Sequence, residues 1–318
     1  MRMDLSKYLN QENEGTAEGS QRMSKEEYAA MKKQEREEVW AEIDAKAQDV
    51  FKDGDSLKGF LNFVAQCTPQ RTPNLLLLYS QNPEIRQIRT FERIRGEGHS
   101  IKPEARGKGY KFLAGNEYEK DGVTMQGYAI TKAYDISQIR MKQPEPLPPK
   151  SMEELMGALL TGAEMRIQIA DNLPEGVQAQ YIPNQRSIFV RNGMPENVTF
   201  HAINRELACA SMDMHNGTYS RAKVSAPAFC AAYVVAQKYG VENTGFQFDK
   251  VCQMQENGSK DPKELRDFIN DMKNAAYTIE KHIDKNLGQP EQEFVPDEFN
   301  VEEGKKGKSA KAKPQPER

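Results

Sequence analysis

Residues 141–150 read Met-Lys-Gln-Pro-Glu-Pro-Leu-Pro-Pro-Lys. Each of the four prolines lacks a backbone donor and holds φ near one value, so neither a helix interior nor a central strand can run through them. The stretch reads as an extended linker. At 318 residues the chain has the length for about two domains, one on either side of it.

Ahead of the linker, residues 1–50 form a polar, charge-dense arm. Val39, Ile43, Ala47 and Val50 fall at helical spacing there and predict a solvated lead-in helix with one apolar stripe. From Asp53 the texture changes. Leu57, Phe60, Leu61 and Val64 recur at i, i+3, i+4 and i+7, an amphipathic helix with Asp53 or Asp55 available as N-cap. Thr72-Pro73 opens a second helix through Tyr79, Asn82-Pro83 stops it, and a short third helix is expected over residues 90–95. Gly96, Gly98, Gly107 and Gly109 then punctuate a switch to strand patterns at 100–102, 110–113 and 123–130. Residues 51–140 are therefore expected to be a small α+β domain, helices first and a mostly antiparallel sheet after.

Behind the linker, Ser151 with Glu154 three residues on is a capping box, followed by Leu155, Leu159 and Leu160. Strands are predicted at 177–182 and 186–191, joined by Pro183-Asn184-Gln185. A helix follows with Phe200, Ile203, Leu207, Ala210 and Met214 as its buried stripe. Further helices are expected over 226–239, ended by Gly240, and from Asp261-Pro262 to about residue 285. The second domain spans 151–286, is mostly helical, and keeps the whole chain in the α+β class. Residues 287–318 are acidic, then basic, with almost no apolar side chain after Val301, and read as a disordered charged tail.

Mean hydropathy of -0.79 with 29% charged residues fits polar extensions around a smaller core. The net charge of -3 selects no class of partner. Cys67, Cys209, Cys230 and Cys252 form no close pair and no leader is visible, which fits a reduced, cytoplasmic protein. The longest apolar run, Leu75 to Tyr79, is too short to span a bilayer, so no membrane partner is expected.

The second domain carries the pattern with the clearest chemical meaning. A catalytic zinc helix reads H-E-x-x-H, because histidines four residues apart share one helix face and one metal, and the glutamate between them acts as general base. Here the five positions read Arg205-Glu206-Leu207-Ala208-Cys209. The base is present and both histidines are absent. Two strands, this helix and a second helix follow the order of a minimal zinc peptidase core, in which the third ligand stands on the second helix. A hydrolytic zinc needs three protein ligands plus water. Arg205 keeps its proton and repels a cation. Cys209 alone is no site. His201 and Cys209 stand two helical turns apart, roughly 12 Å along the axis, too far for one ion together with His215. No metal, no cofactor and no catalysis are expected. Arg205 paired with Glu206 or with a neighbouring carboxylate replaces the metal's charge, and Cys209 and Cys230 read as small buried residues.

The first domain carries a charge bias. Between residues 86 and 111 stand Arg86, Arg89, Arg93, Arg95, Lys102, Arg106, Lys108 and Lys111 against Glu92, Glu97 and Glu104, a surplus of five positive charges. Phe91, Tyr110 and Phe112 lie among them. Cations that track phosphates beside aromatics that stack bases are the chemistry of a single-strand groove. Gly107-Lys108-Gly109 lacks the context of a phosphate loop.

These residues resemble the ArdC-type antirestriction proteins of conjugative elements and phages. Asn74-Leu75-Leu76-Leu77 is similar to that family's N-x-L-L helix, and Tyr134-Asp135-Ile136-Ser137-Gln138-Ile139 to its V-F-D-V-S-Q-T strand. Thr90-Phe91 stands where the family has threonine before tryptophan, and residues 96–109 resemble its L-G-x-x-V-x-x-G-E-x-G segment with a shifted spacing. Arg205 to Cys209 aligns with H-E-L-A-H, and Ala228-Phe229-Cys230-Ala231-Ala232-Tyr233-Val234-Val235 with A-E-S-V-A-Y-V-V. The likeness covers about residues 55–250. It implies an N-terminal domain that binds single-stranded DNA and a zincin-like metallopeptidase domain, here with Phe229, which has no lone pair, at the third ligand position.

The expectation is a non-enzymatic, antirestriction-like single-stranded DNA-binding protein of a mobile element. Its nucleic-acid contacts are Arg86, Arg89, Phe91, Arg93, Arg95, Lys102, Arg106, Lys108, Tyr110 and Lys111, and Arg205, Glu206, Cys209 and Phe229 are a vestigial site. The alternatives are a protein-interaction module built on a dead peptidase fold, with a partner held by the second domain, and a zinc metallopeptidase with atypical ligands.

Overall fold

The computed structural model describes residues 24–120, 123–143, 148–258 and 261–289. Most of the expected charged tail, the first 23 residues of the arm and residues 144–147 of the expected linker lie outside the described residues. The described residues up to Ala41 and those from Glu42 on form separate compact units.

The arm's apolar spacing becomes helix α1, Lys25–Val50. Within the larger unit its Ile43, Ala47 and Val50 are buried. Helix α2, Gly54–Gln66, starts where Asp53 accepts a hydrogen bond from the Ser56 backbone N–H at 2.7 Å. Its Leu57, Phe60, Leu61 and Val64 are all buried, as their spacing predicts. Helix α3, Thr72–Gln81, buries Leu75, Leu76, Leu77 and Leu78 completely. Four consecutive leucines cover every side of a helix, so α3 sits inside the core. Each contributes about 1.5–3 kcal/mol of burial.

Strand β1 (Ile88–Thr90), helix α4 (Phe91–Gly96, capped by Thr90), β2 (Ser100–Ile101), β3 (Tyr110–Lys120), β4 (Val123–Asp135) and β5 (Ile139–Arg140) follow. They form an antiparallel sheet of order β1-β4-β3 and a β2-β5 pair. The side chain of Asp135 organises the end of β4. Its Oδ1 accepts from the backbone N–H groups of Arg86 (2.9 Å) and Gln87 (3.0 Å), and its Oδ2 from that of Ser137 (2.9 Å).

Strand β3 is an edge whose free backbone groups would invite another chain. Two amide side chains of α3 occupy them. Asn74 Oδ1 accepts from Leu113 N–H at 2.9 Å while its Nδ2 donates to Leu113 C=O at 3.1 Å. Gln81 does the same at Lys111, at 2.7 and 3.0 Å. Two turns apart on one helix face, the pair imitates a neighbouring strand.

The second half begins with α5, Met152–Leu160, opened by the reciprocal Ser151–Glu154 capping box that the sequence predicts. Strands β6 (Arg166–Ile169), β7 (Ala179–Ile182) and β8 (Ser187–Val190) form a sheet of order β6-β8-β7, with β6 parallel and β7 antiparallel to β8. Helices α6 (Glu196–Ser211), α7 (Arg221–Lys238), α8 (Asp249–Gly258) and α9 (Pro262–Asn286) complete it. Strand β6 and helix α8 come from no pattern singled out in the sequence. The partner of β6 is parallel and lies about twenty residues on, and among its described side chains α8 buries Val251 and Cys252. Helix α7 starts five residues before its expected onset and runs through Pro227.

The two halves flanking the proline-rich stretch share one core. Helix α2 packs on α7, where Tyr233 Oη donates to Asn62 Oδ1 at 2.7 Å. The division between compact units falls after Ala41 rather than at residues 141–150. Helix α9 packs on α5, α6 and α7. It is fixed to α7 by a buried polar group: Lys238 Nζ donates to Glu280 (2.9 Å) and Asp284 (3.0 Å), and Tyr239 Oη donates to Asp284 at 2.7 Å. The mixture of helices and small, mostly antiparallel sheets is the α+β class expected.

Candidate functional site

Helix α6 presents the altered motif. Phe200, Ala202, Ile203, Ala208 and Ala210 are buried on it, and Asn204 ties it to α7 through a 3.1 Å bond to the Ala232 carbonyl. Two members of the expected stripe fall outside it. Leu207 is half-buried and Met214 is 74% exposed, because the helix ends at Ser211 and its period no longer governs residue 214.

Glu206 is fully buried, and its carboxylate is completely engaged. Arg221, at the first position of α7, grips it with both terminal nitrogens, Nη1 to Oε2 and Nη2 to Oε1, the latter at 2.7 Å. The Tyr181 backbone N–H on the outer edge of β7 donates to Oε2 at 2.9 Å. Arg205 Nε reaches Oε1 at a longer 3.4 Å. The bonds from Glu206 raise the Arg221 pKa against the opposing effect of its own burial. Bidentate guanidinium–carboxylate pairing of this kind is strong and directional. The counter-charge expected from Arg205 thus comes chiefly from Arg221, fifteen residues on, and Glu206 joins strand β7 to helices α6 and α7. A general base must reach a water or substrate proton, and this carboxylate has no free oxygen with which to do so.

The neighbouring positions are equally settled. Burial pushes the Cys209 thiol up to about 12, and the charge of Glu206 adds to this, so it stays protonated near neutral pH. Tyr181 Oη donates to Asp213 at 2.9 Å, and Asp213 also accepts from the His215 backbone N–H at 2.8 Å, so His215 belongs to the helix end. Phe229 is half-buried in a ring cluster, 4.7 Å from Phe246 and 5.6 Å from Phe248. The His201 Nε2–H donates to the Glu242 carbonyl at 2.6 Å, and burial lowers its pKa. Among the described residues, no three His, Cys, Asp or Glu side chains come together as metal ligands. The side chains at positions 205, 206, 209 and 229 do not fit a metal, and no hydrolytic step follows from them.

The basic segment of the first half is divided by its own carboxylates. Glu97 Oε1 accepts from Arg89 Nη1 at 2.7 Å and from Arg93 Nε at 2.9 Å, and the Arg93 bond chiefly lowers the Glu97 pKa. Arg86 pairs with Glu84 at 3.3 Å and Lys111 with Glu42 at 3.3 Å. Lys102 Nζ donates to the Ser137 carbonyl at 2.6 Å, and Tyr110 Oη accepts from Asn82 Nδ2 at 2.9 Å.

The cations that are exposed and also free of an ion pair are a smaller set. Phe91 is 50% exposed, with the Arg95 guanidinium 5.9 Å from its ring centroid. Arg95, Arg106 and Lys108 are exposed and form no ion pair with another described residue. The glycines around Lys108 have conformational reasons. Gly107 has φ +77°, and a Cβ on Gly109 would stand 2.9 Å from the Tyr134 ring. Exposed cations outside the segment join it through strand pairing, since Lys132 on β4 pairs with Lys111 and Arg140 on β5 pairs with Ser100. Lys132 Nζ also donates to the Gly107 carbonyl at 2.9 Å. These two lie twenty to thirty residues beyond the segment, and only the strand register could have found them.

No family model and no curated protein matches this chain. Among solved structures it is similar to two of the antirestriction ArdC protein from R388 plasmid. The metal-free one is 12% identical over 69% of this chain and 89% of that chain, with a TM-score of 0.43. The Mn(II)-bound one is 12% identical over 71% of this chain and 96% of that chain, with a TM-score of 0.40.

Proposed function

We propose that this protein binds single-stranded DNA without catalysis, in an antirestriction-like role on a mobile element, and that its second half is a peptidase-like domain without a metal. The observation that carries the reading is the half-exposed Phe91 ring with Arg95 beside it, together with the cations Arg106 and Lys108, eleven and thirteen residues after Arg95, which form no ion pair with a described residue. An exposed aromatic face stacks a base whatever its identity, and cations without carboxylate partners are the ones able to follow a phosphate chain. Fluorescence anisotropy with a labelled oligothymidylate tests it. Phe91→Ala should weaken binding by about 1–3 kcal/mol, the worth of one stacked base. An unchanged affinity, or no binding by the native protein at low salt, would refute the assignment.

A second reading is favoured by a specific feature of the second half. Strand β6 is the edge of its sheet, its Ile169 is 70% exposed and Leu160 is 41% exposed, and both border a cleft of about 550 Å³ that Met156, Met165 and Met194 also line. Methionine-rich apolar surface suits a protein partner. An association that survives nuclease and that Ile169→Lys abolishes would establish this reading in place of the first. A metallopeptidase with atypical ligands is the third, and stoichiometric zinc in the purified protein would overturn the metal-free assignment.

A further inference from the structure

A cleft of about 240 Å³ runs along α6 beside the loop of residues 242–246. Asn197, His201 and Arg205, four residues apart each time, form its helical side, Phe229 comes from α7, and Glu242 and Phe246 come from the loop. The loop is pinned to the helix by the His201–Glu242 backbone bond of 2.6 Å and by edge-on packing of His201 against Phe246 at 5.1 Å. Phe229 and Phe246, 4.7 Å apart, make an apolar wall that Tyr233 and Phe248 back from behind.

The cleft holds two charges of opposite sign. Arg205 uses only Nε, in its 3.4 Å bond to Glu206, and the guanidinium's two terminal nitrogens hold no partner among the described residues. Glu242 is exposed, and its carboxylate accepts from Asn197 Nδ2 at 3.5 Å and Thr244 Oγ1 at 3.2 Å. A simple anion entering beside Arg205 meets the repulsion of Glu242, and a simple cation meets that of Arg205. A zwitterion satisfies both. The cleft is also smaller than the roughly 300–1,000 Å³ typical of drug-sized ligands, which limits the occupant to about the size of one amino acid.

We propose that this cleft binds a free α-amino acid with a large apolar side chain. The α-carboxylate takes the terminal nitrogens of Arg205, whose planar fork matches it. The ammonium faces Glu242, and the side chain lies on Phe229 and Phe246. The proposal is independent of the DNA-binding reading and uses none of its residues.

Isothermal titration calorimetry on the full chain tests it, with L-phenylalanine as the probe. The comparison ligands are 3-phenylpropionate, which lacks the ammonium, phenethylamine, which lacks the carboxylate, and inorganic phosphate. We expect saturable binding of one L-phenylalanine per chain and binding of each single-charge analogue weaker by about tenfold or more, one charge-assisted contact being lost. Arg205→Gln should weaken L-phenylalanine by a similar factor and leave phenethylamine no weaker, since the repulsion it meets is removed. Glu242→Gln should weaken L-phenylalanine and leave 3-phenylpropionate no weaker, for the same reason. Because Arg205 touches Glu206, its unfolding midpoint is measured alongside, and the exposed Glu242 supplies a variant free of that concern. Equal binding of the analogues, preference for phosphate, indifference to Glu242→Gln, or no heat from L-phenylalanine at about 10 mM would each overturn the proposal.

Discussion

Replacing Arg221 by methionine separates a structural Glu206 from a catalytic one. The substitution leaves a fully buried carboxylate with the Tyr181 N–H at 2.9 Å and a long contact to Arg205 at 3.4 Å. Removing one partner of a buried ion pair costs about 3–5 kcal/mol, because the other charge stays behind without compensation. The Arg221 side chain is 43% exposed, so water already screens the pair, and we expect the lower end, about 3 kcal/mol. The reverse substitution, Glu206→Gln, is milder. Arg221 can turn to water, and the amide oxygen still accepts from Tyr181, so the loss is about 1–2 kcal/mol. The double variant should lose less than the sum of the two, by about 1 kcal/mol or more, since both changes remove one shared interaction. Urea unfolding of the four proteins measures all three quantities. A catalytic base is commonly held at a cost to stability. Glu206→Gln more stable than the native protein, or Arg221→Met equally stable, would therefore refute the structural role.

Other expectations are as concrete. Asn74→Ala leaves the N–H and C=O of the buried Leu113 without partners, so urea unfolding should show a loss of about 2–3 kcal/mol. Burial pushes the Glu280 carboxyl from 4.5 up to about 7, against the attraction of Lys238. A carboxyl raised in the folded state favours folding below its unfolded value and loses that contribution as pH rises through about 7. The raised pKa of Lys238 acts only above 10.5 and leaves this window alone. Glu280→Gln should therefore gain stability relative to the native protein between about pH 5 and pH 8, and a pH-independent difference would contradict the assignment. Gly109→Ala places a Cβ 2.9 Å from the Tyr134 ring. Its cost in thermal unfolding should be about 1–3 kcal/mol, the usual range for overpacking.

Local signals in the sequence were legible wherever one residue acts on its near neighbours. Asp53 capping Ser56, the Ser151–Glu154 box, the helix opened at Asp261-Pro262 and the left-handed Gly240 after α7 are each decided within four residues. The apolar spacing of α2 and α3 was equally readable, because burial follows helix period directly. Interactions across the chain left no such trace. Arg221 reaches Glu206 over an intervening turn, and nothing in the spacing of polar residues marks one arginine among many as its partner. The same blindness applies to the basic segment. Counting charges groups Arg89 and Arg93 with Arg95, whereas geometry gives the first two to Glu97 and leaves the third beside Phe91. The proline-rich stretch interrupts regular structure, yet α2 and α7 still meet, since a linker constrains the backbone locally and not the packing of what it joins.

In the proposed binding mode, Arg95, Arg106 and Lys108 follow the phosphates. The direct measurement is the slope of log affinity against log salt for a single-stranded oligonucleotide, in the native protein and in the triple alanine variant. Each phosphate contact on a single strand contributes about 0.7 to the slope, so losing three should flatten it by about 2. The paired Arg89 and Arg93, replaced together, should change it less. A slope that is unchanged in the triple variant, or a native affinity indifferent to salt, would refute this binding mode.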